Sequence, residues 1–221
     1  MSQPDAVWAV VVARCGPTAK SRLSPVLAEA DRAALALAML RNVLATCAYA
    51  DLAGTIAVVD VAEAHAVARA AGARALPDPG AGMNGAVRAG VAAAIGLGAT
   101  GVLVLPSDIP LVQPVDLRAV IDAAHPWQRV AVVAPDRQGV GTNALFVRPP
   151  DGLRSAFGKS SARRHLRIAR LARLQPVQVT RPRLGFDVDT PSDLAELRRL
   201  APPGPLAATL ATLRERVPAA R

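Results

Sequence analysis

Short runs of apolar residues alternate with longer stretches of helical spacing over the first 135 residues of the chain. The runs predict buried strands, and the stretches between them predict helices. An order in which strands and helices alternate is typical of a mainly parallel sheet with helices on both faces, so we predict a three-layer α/β/α fold with a mostly parallel mixed sheet. The predicted strands are residues 7–13, 55–59, 74–76, 101–105 and 130–134, and the predicted helices are 29–49, 62–71, 84–97 and 114–124.

The pattern changes after Pro135. A polar, glycine-containing loop leads into a predicted strand at residues 144–147, for which we expect antiparallel pairing. Further predicted elements are a basic helix opening at 157–161, strands at 176–180 and 184–188, and a helix at 191–200. No linker composition is visible, so we expect one domain over residues 1–221, with a core at about 7–200 and a tail at 201–221. The weakly amphipathic stretch 206–217 is expected to pack loosely or to aid association into a homo-oligomer.

Two aspartates stand in alternate positions at the end of the predicted strand 184–188. Side chains of an extended segment alternate between its faces, so Asp187 and Asp189 point the same way. Paired carboxylates repel each other unless a cation lies between them, and hard oxygen ligands of this kind suit Mg²⁺. Thr190 is predicted to cap a helix that begins at Pro191. The alternative is a capped helix preceded by a solvated acidic turn.

A third carboxylate follows the apolar run 101–105. Asp108 therefore projects from the carboxyl end of a predicted strand, where α/β proteins bind ligands. Together with Asp187 and Asp189 it could hold one or two Mg²⁺ ions that neutralise a triphosphate. The alternative for Asp108 is a turn aspartate bonded to its own backbone between two prolines.

Basic residues appear at two candidate phosphate sites. Only two of the 26 basic residues are lysines, and one of them, Lys20, lies with Arg14 and Arg22 in a glycine and proline loop after the first strand. Lysine offers phosphate a compact charge where arginine offers a planar fork, so its retention suggests a chemical role. The other, Lys159, lies in the glycine and serine segment that opens the basic helix and could seat a phosphate. The alternatives are two surface lysines left by chance and a solvated arginine face.

Composition excludes several classes of protein. The chain is 52% hydrophobic with no run long enough to span a membrane and no secretory leader, so we expect a cytoplasmic location and no membrane partner. Cys15 and Cys47 lack the spacing of a disulfide framework or metal site and are expected to be free thiols. The net charge of +9 arises after residue 147, but six aromatic residues provide few platforms for base stacking, which disfavours nucleic acid as a partner.

A glycine pattern at residues 80–85 matches G-x-G-x-x-G, which occurs in dinucleotide sites. The fingerprint requires a buried strand that runs straight into the first glycine, whereas the short strand 74–76 is separated from it by Pro77 and Pro79. We therefore disfavour NAD binding. Asn84 in this segment is interpreted as a helix cap or an amide that contacts a base, with Asp78 beside it.

Six short blocks occur along the chain in a fixed order: residues 19–23, 82–84, 105–110, 139–145, 157–158 with Ser161 and His165, and 187–191. Together these blocks resemble the CofC/FbiD guanylyltransferases. The resemblance covers about residues 7 to 200 and is specific because the blocks stand in the same order as in the family. It implies a Rossmann-like fold of the nucleotide-diphospho-sugar-transferase type, related to the molybdenum cofactor guanylyltransferases. It also implies the use of GTP to activate a three-carbon phospho-acid in biosynthesis of coenzyme F-420.

The resemblance also implies roles for individual residues. Two positions depart from the family pattern: Arg14 stands where lysine is frequent, which changes the geometry of a cation, and Met83 stands where leucine is common. Carried over by position, the metal ligands for Mg²⁺ are Asp108, Asp187 and Asp189; the catalytic residues are these three and Lys20; the nucleotide-binding residues are Lys20, Arg22, Asp78 and Asn84; and the acid-binding residues are Thr142, Gly158 and Ser161.

The chemistry of the implied reaction agrees with these residue types. A phosphate monoester is mostly dianionic at neutral pH and can attack the α-phosphorus of GTP without a general base. Catalysis would then rest on positioning and charge neutralisation. His165 is expected to be an exposed helix residue, with contact to the substrate phosphate as the alternative. Other open functions are a molybdenum cofactor or sugar-phosphate nucleotidyltransferase, and a basic nucleic-acid-binding module.

Overall fold

The computed structural model describes residues 6–214, which form a seven-stranded sheet covered by helices. The strands lie in the order β3-β2-β1-β4-β6-β5-β7. Strand β6 is antiparallel to both of its neighbours and every other pair is parallel, as predicted for the region after Pro135. The strands are β1 (Val7–Ala13), β2 (Gly54–Val59), β3 (Arg74–Pro77), β4 (Gly101–Pro106), β5 (Val130–Pro135), β6 (Thr142–Arg148) and β7 (Gln175–Gln178).

Helices cover both faces of the sheet, so the predicted three-layer arrangement is confirmed. One apolar cluster joins the sheet to α1, α2 and α4, and another joins the opposite face to α3 and α5. The α-helices are α1 (Glu29–Ala48), α2 (Ala62–Ala70), α3 (Gly82–Gly96), α4 (Pro114–Asp122), α5 (Ser161–Leu171), α6 (Pro191–Leu200) and α7 (Pro205–Thr212).

The unbroken apolar sequence of β1 follows from burial on both faces. Val11 packs in the cluster beneath α1 and α2, while its neighbours Val10 and Val12 pack in the cluster beneath α3 and α5. Because successive side chains of a strand point to opposite faces, a central strand with two covered faces needs apolar residues at every position. The same arrangement explains the apolar runs of β4 and β5.

The predicted strand at residues 184–188 is wrong. Leu184, Phe186 and Val188 are apolar and buried, but Gly185 between them is buried too, and this segment is a turn followed by irregular chain. Its backbone groups bond to loops instead of a neighbouring strand: the Gly185 carbonyl accepts from Arg137, and the Val188 N–H donates to the Asp108 carbonyl at 3.0 Å. Asp187 and Asp189 are therefore placed by loop contacts and not by a pleated strand.

Two smaller expectations are also corrected. Helix α3 begins at Gly82, so Asn84 lies inside it and is not its cap. The expected loosely packed tail instead joins a third apolar cluster with α1 and α6, in which Leu206 and Leu210 are buried. The predicted stretch 206–217 extends beyond Arg214 and so lies partly outside the described residues.

One edge of the sheet gathers the chain's candidate functional segments. The carboxyl ends of β1, β4 and β5 meet there with the amino end of the reversed strand β6, since Val12 pairs with Pro106 and Pro135 pairs with Thr142. The loop carrying Lys20 and the turn carrying Asp108 leave from this edge. Within residues 6–214, no helix combines the length and apolar character required to cross a bilayer.

Candidate active site

Lys20 joins two of the three predicted metal-binding carboxylates. Its Nζ donates to Asp108 Oδ2 at 2.7 Å and to Asp189 Oδ1 at 3.0 Å. Lys20 itself adopts a left-handed backbone conformation with φ 47° at the start of a short 3₁₀-helix, Ser21–Leu23. The structure thus brings together residues 88 and 169 positions apart in the sequence. We call Lys20, Asp108, Asp187 and Asp189 the acidic corner.

The charged groups of the acidic corner shift one another's pKa values. Burial alone would lower the pKa of Lys20, but the carboxylates of Asp108 and Asp189 outweigh it and raise that pKa above its usual value. Burial raises the pKa of Asp187, and the negative charge of Asp108 raises it further. The Asp187 carboxylate accepts a 3.3 Å hydrogen bond from Asn143, which acts in the opposite direction. The crowding of these carboxylates favours a cation among them.

A cleft of about 320 Å³ opens beside the acidic corner. Arg22 reaches this cleft and donates to Asp189 at 3.0 Å, although its own side chain is largely exposed. The lining includes Arg14, Lys20, Arg22, Met83, Asp108 and Asp189. A lining with three cations and two carboxylates suits a polyanion that binds together with a metal ion.

Arg32 holds the loop that presents Lys20. This buried arginine on α1 donates to three backbone carbonyls, those of Pro17, Ala19 and Leu27, at 3.1 to 3.2 Å. These bonds satisfy a buried guanidinium and fix the loop on both sides of Lys20. Sequence reasoning missed Arg32, and the available signal was a charged residue on the inward apolar face of a predicted helix.

Asp60 anchors the beginning of the same loop. Its two carboxylate oxygens accept from the backbone N–H groups of Cys15 and Gly16 at 2.8 and 3.2 Å. Burial, assisted by the Asp60 charge, raises the pKa of Cys15 to about 12, and burial likewise raises that of Cys47 to about 12. Both cysteines are free, as predicted, and both are unreactive as nucleophiles because they stay protonated.

Arg137, which sequence reasoning also missed, supports the segment that carries Asp187 and Asp189. Its guanidinium donates to Asp193 at 2.7 Å and to Glu196 at 2.8 Å, both on α6, and lies 4.6 Å from the centre of the Phe186 ring. The predicted cap of α6 is confirmed. The Asp193 N–H donates to the Thr190 hydroxyl, and the Asp193 carboxylate accepts from the Thr190 N–H.

The three predicted acid-binding residues lie at one place, between β6 and α5. The Ser161 N–H donates to the Gly158 carbonyl at 3.1 Å, and Gly158 has a φ of 120°, which disfavours any side chain. Thr142 begins β6, and its Oγ1 lies 3.0 Å from Nδ1 of His165, one helical turn after Ser161. We call Thr142, Gly158, Ser161 and His165 the Thr142 cluster. Lys159, by contrast, is exposed beside it.

The expectation that His165 is exposed is wrong, because its side chain is completely buried. Its Nε2 accepts a hydrogen bond from the Ala156 N–H at 2.8 Å, and its ring meets Phe157 edge to face at 4.9 Å. Burial, with the nearby positive charge of Arg164, lowers the pKa of His165 to about 4. The imidazole is therefore neutral at physiological pH and bonded at both nitrogens.

The two remaining residues that were predicted to bind the nucleotide make contacts within the protein. The side-chain amide of Asn84 accepts from the Phe157 N–H at 2.8 Å and donates to the Phe157 carbonyl at 3.1 Å. Asp78 accepts from the Gly80 N–H at 2.8 Å and pairs with Arg14 at 3.6 Å. Asn84 thus ties α3 to the Thr142 cluster, and contact of either residue with a nucleotide stays a prediction.

The acidic corner fits a metal ion only in part as it stands. Over residues 6–214, no three carboxylate, histidine or cysteine side chains are arranged to hold a metal. Two of the predicted ligands, Asp108 and Asp189, nevertheless converge on a single positive group, the Lys20 ammonium. An all-carboxylate set of this kind is chemically suited to Mg²⁺, and the Lys20 ammonium lies between two of its members.

The mixed sheet with helices on both faces is a fold that solved structures of low sequence identity share with this chain. Among solved structures, the chain resembles one from Desulfovibrio desulfuricans described as a nucleotide-diphospho-sugar transferase, with a TM-score of 0.69 and 20% identity over 89% of this chain and 87% of the other. It also resembles a nucleotidyl transferase from Methanothermobacter, with a TM-score of 0.66 and 16% identity over 89% and 97%.

Sequence similarity defines the family more closely. The profile of the family described as "Guanylyl transferase CofC like" matches residues 9–199. A phosphoenolpyruvate guanylyltransferase from Conexibacter woesei is 41% identical over 82% of both chains, and one from Rubrobacter xylanophilus is 39% identical over 86% of this chain and 93% of its own. The chain belongs to the CofC-like guanylyl transferase family, and it is an enzyme of the nucleotidyltransferase class.

Proposed function

We propose that the enzyme transfers GMP from GTP to a three-carbon phospho-acid in a Mg²⁺-dependent reaction that releases pyrophosphate. Phosphoenolpyruvate is the first candidate acceptor, because relatives about 40% identical carry the name phosphoenolpyruvate guanylyltransferase. Phospholactate and 3-phosphoglycerate are the other candidates. The pathway would be the biosynthesis of coenzyme F-420, to which the family resemblance points.

One observation carries this proposal: a cationic cleft and the Thr142 cluster lie at the same edge of the sheet. The cleft presents Arg14, Lys20 and Arg22 to a polyanion of triphosphate size. The Thr142 cluster lies at the amino end of β6, next to the strand whose turn bears Asp108. Two anionic substrates bound on these two sides would meet beside the acidic corner.

The proposed Mg²⁺ would be held by Asp108, Asp187 and Asp189. A bound Mg²⁺ ion would supply positive charge to the phosphates of GTP and would lower the repulsion between two anionic substrates. Burial, and then the charge of Asp108, raises the pKa of Asp187, so a cation bound among these carboxylates would stabilise its charged form.

The protein's own residues would act by positioning and by charge. Lys20, freed from the carboxylates, would contact the triphosphate together with Arg22. The Thr142 hydroxyl and the backbone around Gly158 would orient the acid, so that its phosphate oxygen faces the α-phosphorus of GTP. That phosphate is already dianionic at neutral pH, so no side chain has to remove a proton from it.

An acceptor panel tests the proposal. The enzyme is incubated with GTP, Mg²⁺ and one acceptor at a time, and pyrophosphate release is followed. We expect release with phosphoenolpyruvate or another three-carbon phospho-acid, and none after addition of EDTA. Release only with a sugar phosphate or a molybdopterin, or with ATP in preference to GTP, would overturn it.

A further inference from the structure

His165 is completely buried, yet both of its ring nitrogens have polar partners. Nε2 lies 2.8 Å from the backbone N–H of Ala156, and Nδ1 lies 3.0 Å from Oγ1 of Thr142. A buried histidine bonded at both nitrogens has a fixed orientation, because any rotation would leave a polar group without a partner in an apolar environment. Its ring is also confined by the edge of Phe157.

The partner of Nε2 determines which nitrogen carries the proton. A backbone N–H can only donate, so Nε2 must be the acceptor and cannot carry a hydrogen. The neutral ring then carries its hydrogen on Nδ1, which donates to Thr142 Oγ1. The threonine hydroxyl accepts this bond, so its own hydrogen is directed elsewhere.

The same arrangement excludes His165 as a general base. Its basic nitrogen, Nε2, is already occupied by the Ala156 N–H, and no part of the ring is exposed to a substrate. A proton acceptor must come within hydrogen-bond reach of the group that it deprotonates. Any contribution of His165 to the reaction must therefore pass through its neighbours.

Those neighbours include the backbone that leads to Gly158. The His165 ring holds the Ala156 N–H, and the Asn84 amide holds both the N–H and the carbonyl of Phe157. Three hydrogen bonds from α3 and α5 thus fix two consecutive residues just before Gly158, whose φ of 120° needs a defined approach. The position of the Gly158 backbone depends on this clamp.

We propose that His165 is a positioning residue for the acceptor, which makes the Thr142 hydroxyl a hydrogen-bond donor and, with Asn84, holds the backbone before Gly158. The proposal rests on the proposed function of the Thr142 cluster in binding the acid. The ionised phosphate and carboxylate of a phospho-acid offer only acceptor oxygens, so a threonine fixed as a donor matches either group and rejects a ligand that presents a donor at that point.

Two substitutions separate the two tasks of the imidazole. In His165→Asn the amide nitrogen can take the place of Nδ1 and keep the bond to Thr142, while the Ala156 N–H loses its partner. In His165→Gln the longer side chain can offer an acceptor to the Ala156 N–H, while Thr142 loses its donor. His125→Gln, which changes an exposed histidine, is the matched control.

The kinetic experiment measures KM for the acceptor and for GTP in each variant. We expect both His165 variants to raise the acceptor KM roughly 3- to 10-fold, the size of one or two net hydrogen bonds, and to leave the GTP KM within about 2-fold. When Thr142→Val is added, the effect of His165→Gln should largely disappear, whereas that of His165→Asn should persist. Equal increases in both KM values, or effects that simply add in both pairs, would overturn the proposal.

A second measurement uses the wild-type protein alone and does not depend on turnover. In wild-type protein labelled with ¹⁵N-histidine, long-range ¹H–¹⁵N correlations report which ring nitrogen carries hydrogen. We expect His165 to be neutral with its hydrogen on Nδ1 between pH 8 and pH 6. A hydrogen on Nε2, or a charged ring, would overturn the inference even if the acceptor panel succeeds. If the acceptor panel fails while the Nδ1 hydrogen is found, the proposed function is the part that fails.

Discussion

The acidic corner and the Thr142 cluster lie at the same sheet edge but are held together in different ways. In the acidic corner the order comes from ion pairs between partly exposed side chains, with Lys20 11% and Asp189 37% exposed. In the Thr142 cluster it comes from hydrogen bonds of neutral groups, and the side chains of Thr142, Ser161 and His165 are buried, with Ser161 2% and His165 0% exposed. One side is organised by charge and the other by buried hydrogen bonds.

This difference indicates what each side has to do when substrates bind. A metal ion and a triphosphate would offer new partners to both members of these ion pairs at once, so we expect Lys20 to leave its carboxylates when the proposed substrates bind. Buried hydrogen bonds are costly to break without replacement, so the Thr142 cluster is already in place before the acid binds. We expect the nucleotide side to rearrange and the acid side to stay rigid.

The largest effect should come from removal of a carboxylate in the acidic corner. Asp108→Ala or Asp189→Ala should reduce turnover roughly 100- to 1000-fold or more, because each removes a proposed metal ligand at the place where charge develops. Steady-state pyrophosphate release is the measurement, with circular dichroism to verify folding. Asp122→Ala, at an exposed position on α4, is the control. Near-normal rates in the first two variants would contradict the metal assignment.

The second effect concerns stability on the buried side. Because the pKa of His165 falls from 6.5 to about 4 on folding, the unfolded chain binds the proton more readily between these values. Protonation therefore favours unfolding. The part of the free energy of unfolding that depends on a neutral, buried His165 is complete above pH 6.5 and is lost as the pH falls towards 4. The total loss is about 3 kcal/mol.

Urea unfolding of wild type and His165→Gln at several pH values measures this contribution. The difference between the two proteins in free energy of unfolding should shrink as the pH is lowered from 6.5 to 4, because only the wild type has the buried imidazole. A difference that is constant with pH would contradict the assigned cause.

The third prediction tests whether Lys20 occupies the place of a metal. In Lys20→Met the ammonium no longer neutralises Asp108 and Asp189, so Mg²⁺ without nucleotide should bind about 10-fold more tightly than to the wild type. The Mg²⁺ dependence of the melting temperature is the measurement. Turnover should fall in the same variant because a contact to the triphosphate is lost.

The matched control for Lys20 is the chain's other lysine. Lys159 is exposed next to the Thr142 cluster, and Lys159→Met should leave the Mg²⁺ response unchanged. An equal Mg²⁺ response in Lys20→Met and wild type would show that Lys20 does not compete with the ion.

The smallest effect is expected on the acid side. Thr142→Val keeps the shape of the side chain and removes one donor, so the acceptor KM should rise roughly 3- to 10-fold while the GTP KM stays unchanged. Initial rates with each substrate varied in turn are the measurement. A rise in the GTP KM alone would show that Thr142 contributes to nucleotide binding and not to binding of the acid.

The helices and strands could be predicted wherever burial gives the sequence a regular spacing of hydrophobic residues. The apolar runs of the central strands and the cap at Thr190 are local signals, and the structure confirms them. The stretch 184–188 misled the prediction because its apolar residues are buried without any neighbouring strand. Hydrophobic pattern reports which side chains are covered and does not report where the backbone finds its hydrogen-bond partners.

The sequence predicted which types of residue form the candidate site, but it predicted only part of how those residues are arranged. Motif order indicated Lys20, Asp108 and Asp189, which the structure brings within hydrogen-bond distance. The tasks of Arg32 and His165 could not be predicted, since both depend on contacts with distant backbone groups. A polar residue on the inner face of a helix was the only local sign of either one.

The reversed strand β6 has a consequence for how such an enzyme can change its preferences. It enters the active edge by its first residue, so Thr142 follows directly after the 136–141 loop, whereas Asp108 and Lys20 follow strands that run the other way. Insertions or exchanges at residues 138–141 would therefore alter the proposed acid site without displacing the segments that carry Asp108 and Lys20, whereas Arg137 has to be kept because it supports the segment of Asp187 and Asp189. Such a layout makes 138–141 the first segment to randomise in a search for altered acceptor preference.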